Sequence, residues 1–324
     1  MRNPEIICLG ELLVEIMRTE QDVPHRKVGA IYRGPFPSGA PAIFIDTAAR
    51  MIKDTSLKAG FIGVVGDDEF GECILNKLKK DNVDSSQIRI SKSLTTGIAF
   101  NQYNSDGSRK FIFAAGAAGD TSPNDIDEDY FTNVKALHIM GSSLSISKNS
   151  REACYKAIKI TRMINPKAII SFDPNLRPEM LDVEEILKIC QPVLEETDIL
   201  LPSGEEAEML ARIKGEEAAC LALLERNPEI VILKQGRLGS TIFSKKIPSP
   251  LHNSSFNIEE RDPTGAGDSF GGAFISSFLK GWDLKKSLQF ANAVGALKVN
   301  HFGPMTDTTM EDVLKFIDKS NQMQ

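Results

Sequence analysis

The amino-acid sequence predicts an α/β fold in which a mostly parallel sheet is flanked by helices. Short apolar runs that suit buried strands alternate with longer segments whose apolar residues recur at helical spacing, which is typical of βαβ units. Two segments, 13–34 and 95–114, interrupt this alternation. We therefore expect one domain over residues 1–324 that carries a small additional β-sheet.

The elements follow one another along the chain. The strand-like runs occupy residues 6–9, 61–65, 136–140, 168–172, 198–201 and 230–233. The helical patterns occupy residues 40–52, 68–80, 149–164, 183–195, 205–213, 216–226, 269–280 and 284–299. Because parallel sheets of this class bind ligands beyond the carboxyl ends of their strands, we expect the functional site at that edge.

The segment 95–114 has the pattern of a β-hairpin. Two runs with strand character, 97–103 and 109–113, flank a short polar stretch that contains Asp106-Gly107. An Asp-Gly pair between two such runs is a strong hairpin signal. A surface hairpin without a functional role is the alternative.

Composition excludes several classes of function. The chain of 324 residues is 41% hydrophobic and 25% charged, as is ordinary for a globular protein that does not lie in a membrane. A net charge of -6 gives no basic surface for nucleic acid or an anionic membrane. The N-terminus leads into a strand-like run, and no apolar run approaches the roughly 18 residues of a membrane helix. We expect a cytoplasmic protein with no nucleic-acid or membrane partner.

Cysteine and histidine carry no visible chemistry in this sequence. The five cysteines are scattered and show no C-x-x-C spacing, so neither a disulfide framework nor a zinc site is expected. The four histidines form no ligand pair. We assign these residues no role.

A glycine-rich turn before the helical pattern 269–280 is the most informative motif. Residues 262–270 read Asp-Pro-Thr-Gly-Ala-Gly-Asp-Ser-Phe. Gly265 and Gly267 can adopt positive φ, so the backbone N–H groups around them can converge on one point. Because a helix N-terminus attracts phosphate, we predict an anion hole that includes Ala266.

Asp268 stands at the junction between this turn and the helix. Its carboxylate would repel a bound phosphate unless it takes a proton from the group that attacks the phosphate. We therefore predict that Asp268 is a general base in phosphoryl transfer. The alternative is a simple turn in which Asp268 caps the helix.

Two other phosphate-binding motifs do not fit. The spacing Gly265, Gly267, Gly271 differs from the G-x-G-x-x-G dinucleotide fingerprint, and no continuous apolar strand precedes it. The Walker pattern G-x-x-x-x-G-K-[ST] does not occur.

Residues 262–270, together with Gly271, Gly272 and Ala273, resemble the C-terminal signature of the ribokinase-like, PfkB-type carbohydrate kinases, whose usual form is D-T-x-G-A-G-D. The resemblance extends over nearly the whole chain. It implies a ribokinase-like, Rossmann-like fold and ATP-dependent phosphorylation of a small sugar, with Mg²⁺ as cofactor. It also implies that the strands in 13–34 and 95–114 form a lid over the sugar and a homodimer surface.

The same resemblance implies a sugar site in the first part of the chain. Glu15 matches an acidic position that contacts sugar hydroxyls in the family, although Asp is commoner there. Residues 34–42 resemble the glycine-rich sugar-binding turn, in which Gly39 is retained.

Two positions of this sugar site depart from the family pattern. Ser38 replaces the first glycine of the usual pair, and Ile43 replaces an asparagine that hydrogen-bonds the sugar. Leaving sugar hydroxyls unpaired costs about 1 to 3 kcal/mol. Asp46, one helical turn beyond, is the candidate substitute, and we expect an acceptor other than ribose.

Residues 172–178 resemble a segment of the fructokinase and 2-keto-3-deoxygluconate kinase branches. Arg177 could bind a phosphate or a sugar carboxylate, since a guanidinium group offers a fixed fork of donors. A structural pair with Asp173 is the alternative. Residues 111–116 lack the arginine and tyrosines that hold the acid group in keto-deoxygluconate kinases, which favours an uncharged ketohexose; the overall pattern is most similar to the tagatose kinase type.

The nucleotide and cation sites are also implied by the resemblance. The nucleotide positions near the ATP ribose, phosphates and adenine are Lys234, Gly236, Gly239, Ser240, Asn292 and Gly295. For the segment that contains Lys234, Gly236, Gly239 and Ser240, the alternative is an ordinary hairpin turn. For Asn292 the alternative is a plain position on the helix surface. Glu206 matches a glutamate that orders water around Mg²⁺, or else forms a capping arrangement with Ser203. Asp262, Thr264 and Gly303 resemble a site where backbone oxygens hold K⁺.

Three alternatives to a ketohexose kinase stay open from the sequence. The acceptor could be 2-keto-3-deoxygluconate or a nucleoside, or the chain could be a non-catalytic sugar-binding protein on the same fold.

Overall fold

The computed structural model describes residues 2–106, 108–176 and 181–322. In chain order its strands are β1 Ile6–Leu9, β2 Leu13–Arg18, β3 Tyr32–Ser38, β4 Ala59–Gly66, β5 Val83–Ser91, β6 Gly97–Tyr103, β7 Arg109–Ala114, β8 Ala136–Met140, β9 Ile169–Asp173, β10 Ile199–Leu200, β11 Ile230–Lys234, β12 Ser240–Ser244 and β13 Leu251–Asn253. The helices are α1 Ala40–Met51, α2 Glu69–Lys80, α3 Gly141–Ile146, α4 Lys148–Ile164, α5 Val183–Leu194, α6 Gly204–Ala211, α7 Glu216–Leu224, α8 Ala266–Leu279, α9 Leu284–Val299 and α10 Met310–Gln322.

A large sheet forms the centre of the molecule. Over the described ranges it has nine strands in the order β13-β12-β11-β10-β9-β8-β1-β4-β5. All pairs from β11 to β5 are parallel, whereas β12 and β13 continue the sheet in antiparallel register. The predicted α/β fold with a mostly parallel sheet is confirmed.

The sheet is covered on both faces, as the alternation of side chains along β1 shows. Ile6 and Cys8 pack into a core cluster shared with α1, α8 and α9. Ile7 and Leu9 pack into the opposite cluster, shared with α4, α5 and α7. Because successive side chains of a strand point to opposite faces, one continuous apolar run supplies both cores.

Short polar side chains set the start of several helices. Asp68, Ser147, Asp182 and Asp283 precede α2, α4, α5 and α9, and each side chain accepts a hydrogen bond from a backbone N–H of the first helical turn. Such caps satisfy donors that the helix itself leaves unpaired. The polar residue before each apolar pattern is therefore the local reason for these helix boundaries.

A second, smaller sheet contains four strands of the described chain in the order β3-β2-β6-β7. β2 pairs antiparallel with β3 and parallel with β6, and β6 pairs antiparallel with β7. The predicted hairpin is thus present as β6 and β7, while Gly107 lies outside the described residues. We call this sheet the accessory sheet.

Several elements were not predicted from the sequence. Half-exposed β5 consists mainly of polar residues. The short strands β12 and β13 extend the sheet at one side, where β12 pairs with β11 and β13 pairs with β12. Helix α10 buries only Val313 among its described residues. These elements lack the continuous apolar runs on which the prediction relied. Of the described helices, none combines the length and hydrophobicity needed to cross a membrane.

Helices α1 and α8 pack unusually closely. A Cβ atom added to Gly272 of α8 would lie 2.4 Å from the backbone oxygen of Phe44 in α1. Ser276, one turn further along α8, donates a hydrogen bond to the backbone oxygen of Ala48 at 3.3 Å. This contact between backbones fixes α8 on α1.

We predict that Gly272→Ala destabilises the protein by about 1–3 kcal/mol, because the added methyl group overpacks a contact that backbone atoms cannot relieve. The free energy of unfolding, measured by urea denaturation, tests this. Gly119→Ala is the control, since a Cβ there meets its nearest atom at 3.7 Å. Equal stability of Gly272→Ala and the wild type would contradict the assigned packing.

Candidate active site

The glycine-rich turn leads directly into α8. Gly265 has φ +78 and precedes the first helical residue, Ala266. A side chain at Gly265 would also be sterically blocked, since its Cβ would lie 2.7 Å from the backbone oxygen of Pro304. Ser269 N–H donates to Gly265 O at 2.9 Å, which begins the hydrogen bonding of the helix. The helix therefore starts three residues earlier than predicted, and 266–268 form its first turn.

The backbone amides of this turn are not equivalent. Ala266 N–H donates to Pro263 O at 3.2 Å and so stabilises the turn itself. This differs from the predicted anion hole, in which every amide of the turn points at one anion. Gly267 lies close to Lys234, because a Cβ at Gly267 would be 3.5 Å from Lys234 Nζ. A helix N-terminus beside an ammonium group is a favourable place for phosphate oxygens.

A cavity of about 700 Å³ opens between α8 and the carboxyl ends of β9, β10 and β11. This is the expected edge of the parallel sheet. Ten of the residues predicted from the sequence line it: Glu206, Lys234, Gly236, Gly239, Gly265, Ala266, Gly267, Asp268, Asn292 and Gly295.

Asp268 lies at the wall of this cavity and is 8% exposed. Asn175 Nδ2 donates to Asp268 Oδ1 at 3.3 Å. Asn175 has a left-handed φ of 37, a conformation that asparagine tolerates better than most residues, and its backbone N–H donates to Asp173 Oδ1 at 3.2 Å. The segment after β9 thus holds an amide against the Asp268 carboxylate.

Lys234, at the end of β11, forms an ion pair with Asp173 at the end of β9. Burial alone would lower the pKa of Lys234, but the carboxylates of Asp173 and Glu206 hold this pKa above its ordinary value. The lysine is therefore a fixed positive charge in the cavity. Asp173 takes Lys234 as its partner, and Arg177, the other candidate, lies outside the described residues.

Glu206 lies in the first turn of α6 and faces the same cavity. Its Oε2 accepts from Ser203 N at 2.7 Å and its Oε1 accepts from Leu176 N at 2.9 Å. The capping box with Ser203 is therefore present. The carboxylate retains lone pairs for water, so the capping role and an outer role toward a cation are compatible.

Among the residues that the structure describes, no group of three or more His, Cys, Asp or Glu side chains is arranged to hold a metal ion. A magnesium ion that binds substrate phosphates and keeps most of its waters needs no such group. Glu206 fits the position of an acceptor for those waters.

A model of the pfkB family of carbohydrate kinases matches residues 3–311. This chain belongs to the pfkB family. It is accordingly a phosphotransferase that acts on a carbohydrate, and its fold is the ribokinase-like fold of that family.

Curated relatives span both sugar and sugar-acid kinases. The chain is 29% identical over 309 residues to probable fructokinase-2 of Arabidopsis thaliana, which covers 92% of this chain and 91% of that protein. It is also 29% identical over 330 residues to a 5-dehydro-2-deoxygluconokinase of Clostridium perfringens, with 99% and 95% covered.

Solved structures show the same fold. An E. coli protein provisionally called ribokinase II, in complex with ATP and Mg²⁺, is 39% identical and superposes with a TM-score of 0.89, covering 98% of this chain and 99% of that one. A fructokinase from Vibrio cholerae O395, bound to fructose, ADP and calcium, has a TM-score of 0.82 at 23% identity, covering 97% of this chain and 99% of that one. The second likeness concerns the fold alone.

The accessory sheet of this pfkB kinase holds Glu15 in a buried network. Ser38 Oγ donates to Glu15 Oε1 at 2.6 Å, and Asn101 Nδ2 donates to Oε2. Burial raises the pKa of Glu15 to about 7, although the bonds from Ser38 and Asn101 oppose this shift. Gly39, which precedes α1, lies against Glu11, since its Cβ would be 2.3 Å from Glu11 O. Glu15 and Gly39 do not line the described cavity and belong to a neighbouring region.

Asp46 is not brought to the site. It is fully buried and accepts a hydrogen bond from Arg50 Nε at 3.2 Å, with Lys77 Nζ at 3.9 Å. It therefore pairs with Arg50 and Lys77 between α1 and α2 and does not replace the missing amide. Ile43, at the position of that amide, lies against the turn instead, because a Cβ at Gly265 would be 3.0 Å from Ile43 Cδ1.

Ser240 supports the side chain of Asn292. It is fully buried, and its Oγ donates to Asn292 Oδ1 at 2.9 Å. Asn292 Nδ2 donates to Asn253 O at 2.9 Å. Asn292 thus lines the cavity with its side chain fixed by hydrogen bonds, whereas Ser240 does not line the cavity and orients Asn292.

The expected potassium site does not fit a potassium ion. Lys298 Nζ donates to the backbone oxygen of Asp262 at 2.8 Å and to that of His301 at 3.1 Å. The Asp262 carboxylate is also engaged: Oδ1 accepts from Thr264 N at 3.0 Å and Oδ2 accepts from Gly303 N at 2.8 Å. The Lys298 amine already occupies the position between the backbone oxygens of Asp262 and His301.

Sequence reasoning missed four residues that the structure brings to the site or its support. Asn175 contacts Asp268, Arg109 of β7 lines the cavity, Tyr103 of β6 donates to Asp262 Oδ1 at 2.9 Å, and Lys298 contacts Asp262 O. Lys298 alone had a visible signal, since it interrupts an apolar face of α9. The others come from contacts between elements far apart in the chain.

We predict that Glu15→Gln changes the pH dependence of stability. The folded pKa of Glu15 is raised from 4.5 to about 7, so its stabilising contribution is complete below pH 4.5 and is lost as the pH rises through 7. Relative to Glu15→Gln, the wild type should lose up to about 3 kcal/mol of unfolding free energy over that range.

Urea denaturation of both proteins between pH 4.5 and 8 measures this difference. Exposed Glu20 provides the control, and Glu20→Gln should follow the wild-type profile. Parallel profiles for wild type and Glu15→Gln would show that the buried network does not hold a protonated carboxyl group.

Proposed function

We propose that this pfkB kinase transfers the γ-phosphoryl group of ATP to a primary hydroxyl group of a ketohexose of the fructose or tagatose type. The observation that carries the proposal is the position of Asp268, in a cavity at the N-terminus of α8 and beside a fixed ammonium group. A carboxylate there is suited to accept a proton from an attacking alcohol.

The reaction forms one bond and breaks one. The sugar hydroxyl oxygen attacks the γ-phosphorus, and the bond from that phosphorus to the oxygen bridging it to the β-phosphate breaks, so ADP leaves with the electron pair. The hydroxyl proton goes to the Asp268 carboxylate. Asn175 donates to Oδ1 of that carboxylate and so orients it.

Charge on the transferring group is stabilised by groups that are fixed before the substrate binds. The N-terminus of α8 presents the amide of Gly267 and the positive end of its dipole, and Lys234 adds a full charge beside them. Glu206 would accept hydrogen bonds from the waters of a bound Mg²⁺, and the chemistry that such an ion supplies is neutralisation of phosphate charge. Asn292 and Gly295 of α9 form the wall for the adenine.

The accessory sheet is proposed as the sugar lid. Glu15, held by Ser38 and Asn101, offers oxygen atoms toward sugar hydroxyls from β2. Ile43 packs on the turn where the family pattern has an amide, so ribose would lose a partner there. Relatives named fructokinase agree with a ketohexose acceptor.

A sugar acid is the second candidate, and Arg109 is the observation that favours it. Arg109 lines the cavity from β7 of the accessory sheet, although residues 111–116 lack the arginine and tyrosines expected for an acid. A relative named 5-dehydro-2-deoxygluconokinase supports the same candidate.

A substrate panel separates the two candidates. We predict that kcat/KM is highest for tagatose or fructose and lower for the keto-deoxy sugar acids, ribose and adenosine, in a coupled assay of ADP release. We also predict that Arg109→Gln changes the KM for the preferred ketohexose less than about threefold, because a neutral sugar has no carboxylate to pair. Preference for an acid, with a KM raised tenfold or more in Arg109→Gln, would replace the ketohexose by the acid.

We predict that Asp268→Asn lowers kcat by about 10²- to 10⁴-fold while the dissociation constant of the sugar stays within about twofold, because the amide keeps the shape but accepts no proton. Steady-state kinetics and calorimetric sugar titration measure the two quantities. Asp318→Asn, which removes an exposed carboxylate on α10, should retain full activity.

Near-normal turnover in Asp268→Asn would exclude Asp268 as the base. Tight sugar binding by a wild type that consumes no ATP with any sugar would support the non-catalytic alternative. Homodimer formation through the accessory sheet and a cytoplasmic location stay predictions.

A further inference from the structure

A buried lysine lies behind the glycine-rich turn. Lys298 is in the last turn of α9, and only 1% of its side chain is exposed. Its Nζ donates to Asp262 O at 2.8 Å and to His301 O at 3.1 Å, with Asp262 Oδ2 at 4.0 Å. A buried ammonium group requires partners of this kind, and both acceptors are backbone oxygens of loops.

These two oxygens belong to the two segments that frame the turn. Asp262 begins the turn that ends at Asp268, and its carboxylate accepts from Gly303 N at 2.8 Å. The backbone oxygen of Pro304 lies only 2.7 Å from the position that a Cβ of Gly265 would take. Lys298 thus joins segments 262–265 and 301–304 from inside, on the side of the turn away from the cavity, which it does not line.

The surroundings of Lys298 carry negative charge. Burial lowers its pKa, while the carboxylates of Asp262, Glu15 and Asp268 oppose that effect. A cation at this point is therefore balanced by acidic groups of the glycine-rich turn and of the accessory sheet. Removing it would leave Asp262 buried without its cation.

We propose that the Lys298 ammonium group is a built-in replacement for a monovalent cation, and that it positions the turn at the N-terminus of α8 so that catalysis needs no added potassium. Lys298 is a positioning residue, since it touches the turn through Asp262 and not the reacting atoms. The proposal rests on the proposed role of that turn in phosphoryl transfer.

The first test uses the wild-type protein in tetramethylammonium chloride, with KCl substituted at constant ionic strength. We expect kcat/KM to change less than about twofold, because no cation position is left to fill. The thermal unfolding midpoint should likewise be the same in both salts. Strong activation by KCl would overturn the proposal.

The second test removes the ammonium group. Lys298→Met keeps the stem and should lower kcat/KM about tenfold to a hundredfold, the range for lost hydrogen bonds to a charged group, with a matching loss of ADP affinity. Lys298→Ala opens space at the same point. We expect NH₄Cl or KCl, and not tetramethylammonium chloride, to restore the activity of Lys298→Ala and to raise the thermal unfolding midpoint of this variant.

Lys280→Ala is the matched control. Lys280 also joins a helix end to a backbone oxygen, that of Met51, and pairs with Asp54, but it lies at the opposite end of α8. Its activity and midpoint should not respond to the choice of cation. If Lys298→Ala folds but no cation restores its activity, or every salt restores it equally, Lys298 only fills space and does not replace a cation.

The thermal midpoints and ADP affinities separate this proposal from the proposed function. A cation-specific rise in the midpoint of Lys298→Ala supports the cation replacement even if Asp268 is not the base. If Lys298→Ala does not fold, Lys298→Met and the salt response of the wild type still decide the question.

Discussion

The Asp262 carboxylate connects the main parts of the site. It accepts hydrogen bonds from Thr264 N within the turn, from Gly303 N in the segment after α9, and from the Tyr103 hydroxyl of the accessory sheet. Lys298 Nζ donates to the backbone oxygen of the same residue, Asp262. A buried carboxylate with these partners can adopt few arrangements, because each lost bond leaves a buried polar group unpaired. The turn, the end of α9 and the accessory sheet are therefore held in one geometry.

The large sheet positions the charged residues that face the N-terminus of α8. Parallel strands β9, β10 and β11 end at the same edge, so Asp173, Glu206 and Lys234 approach the N-terminus of α8 from neighbouring positions. The close contact of Gly272 with α1 fixes where that N-terminus lies. Preorganised charge of this kind is effective in phosphoryl transfer because little has to move when the substrate binds.

The sequence predicted this architecture where local chemistry was decisive. Apolar runs revealed the parallel strands, and Gly265, Gly267 and Asp268 revealed the turn, because backbone freedom and one carboxylate are local properties. Asp46 could not be judged in this way, since its buried partners come from helix packing. Asn175 and Tyr103 reach the site only through tertiary contacts, and Lys298 would have been recognised only by asking what a lysine on an apolar helix face contacts.

A crystal structure with ADP, Mg²⁺, aluminium fluoride and the preferred ketohexose would show whether Asp268 is the base at the N-terminus of α8, since this mixture imitates the transferring phosphoryl group. We predict that the Asp268 carboxylate lies within about 2.6–3.2 Å of a primary sugar hydroxyl, with the fluoride ligands on the Gly267 amide of α8 and on Lys234. A fluoroaluminate bound away from that helix end, or a sugar whose hydroxyl is approached by another base, would contradict it.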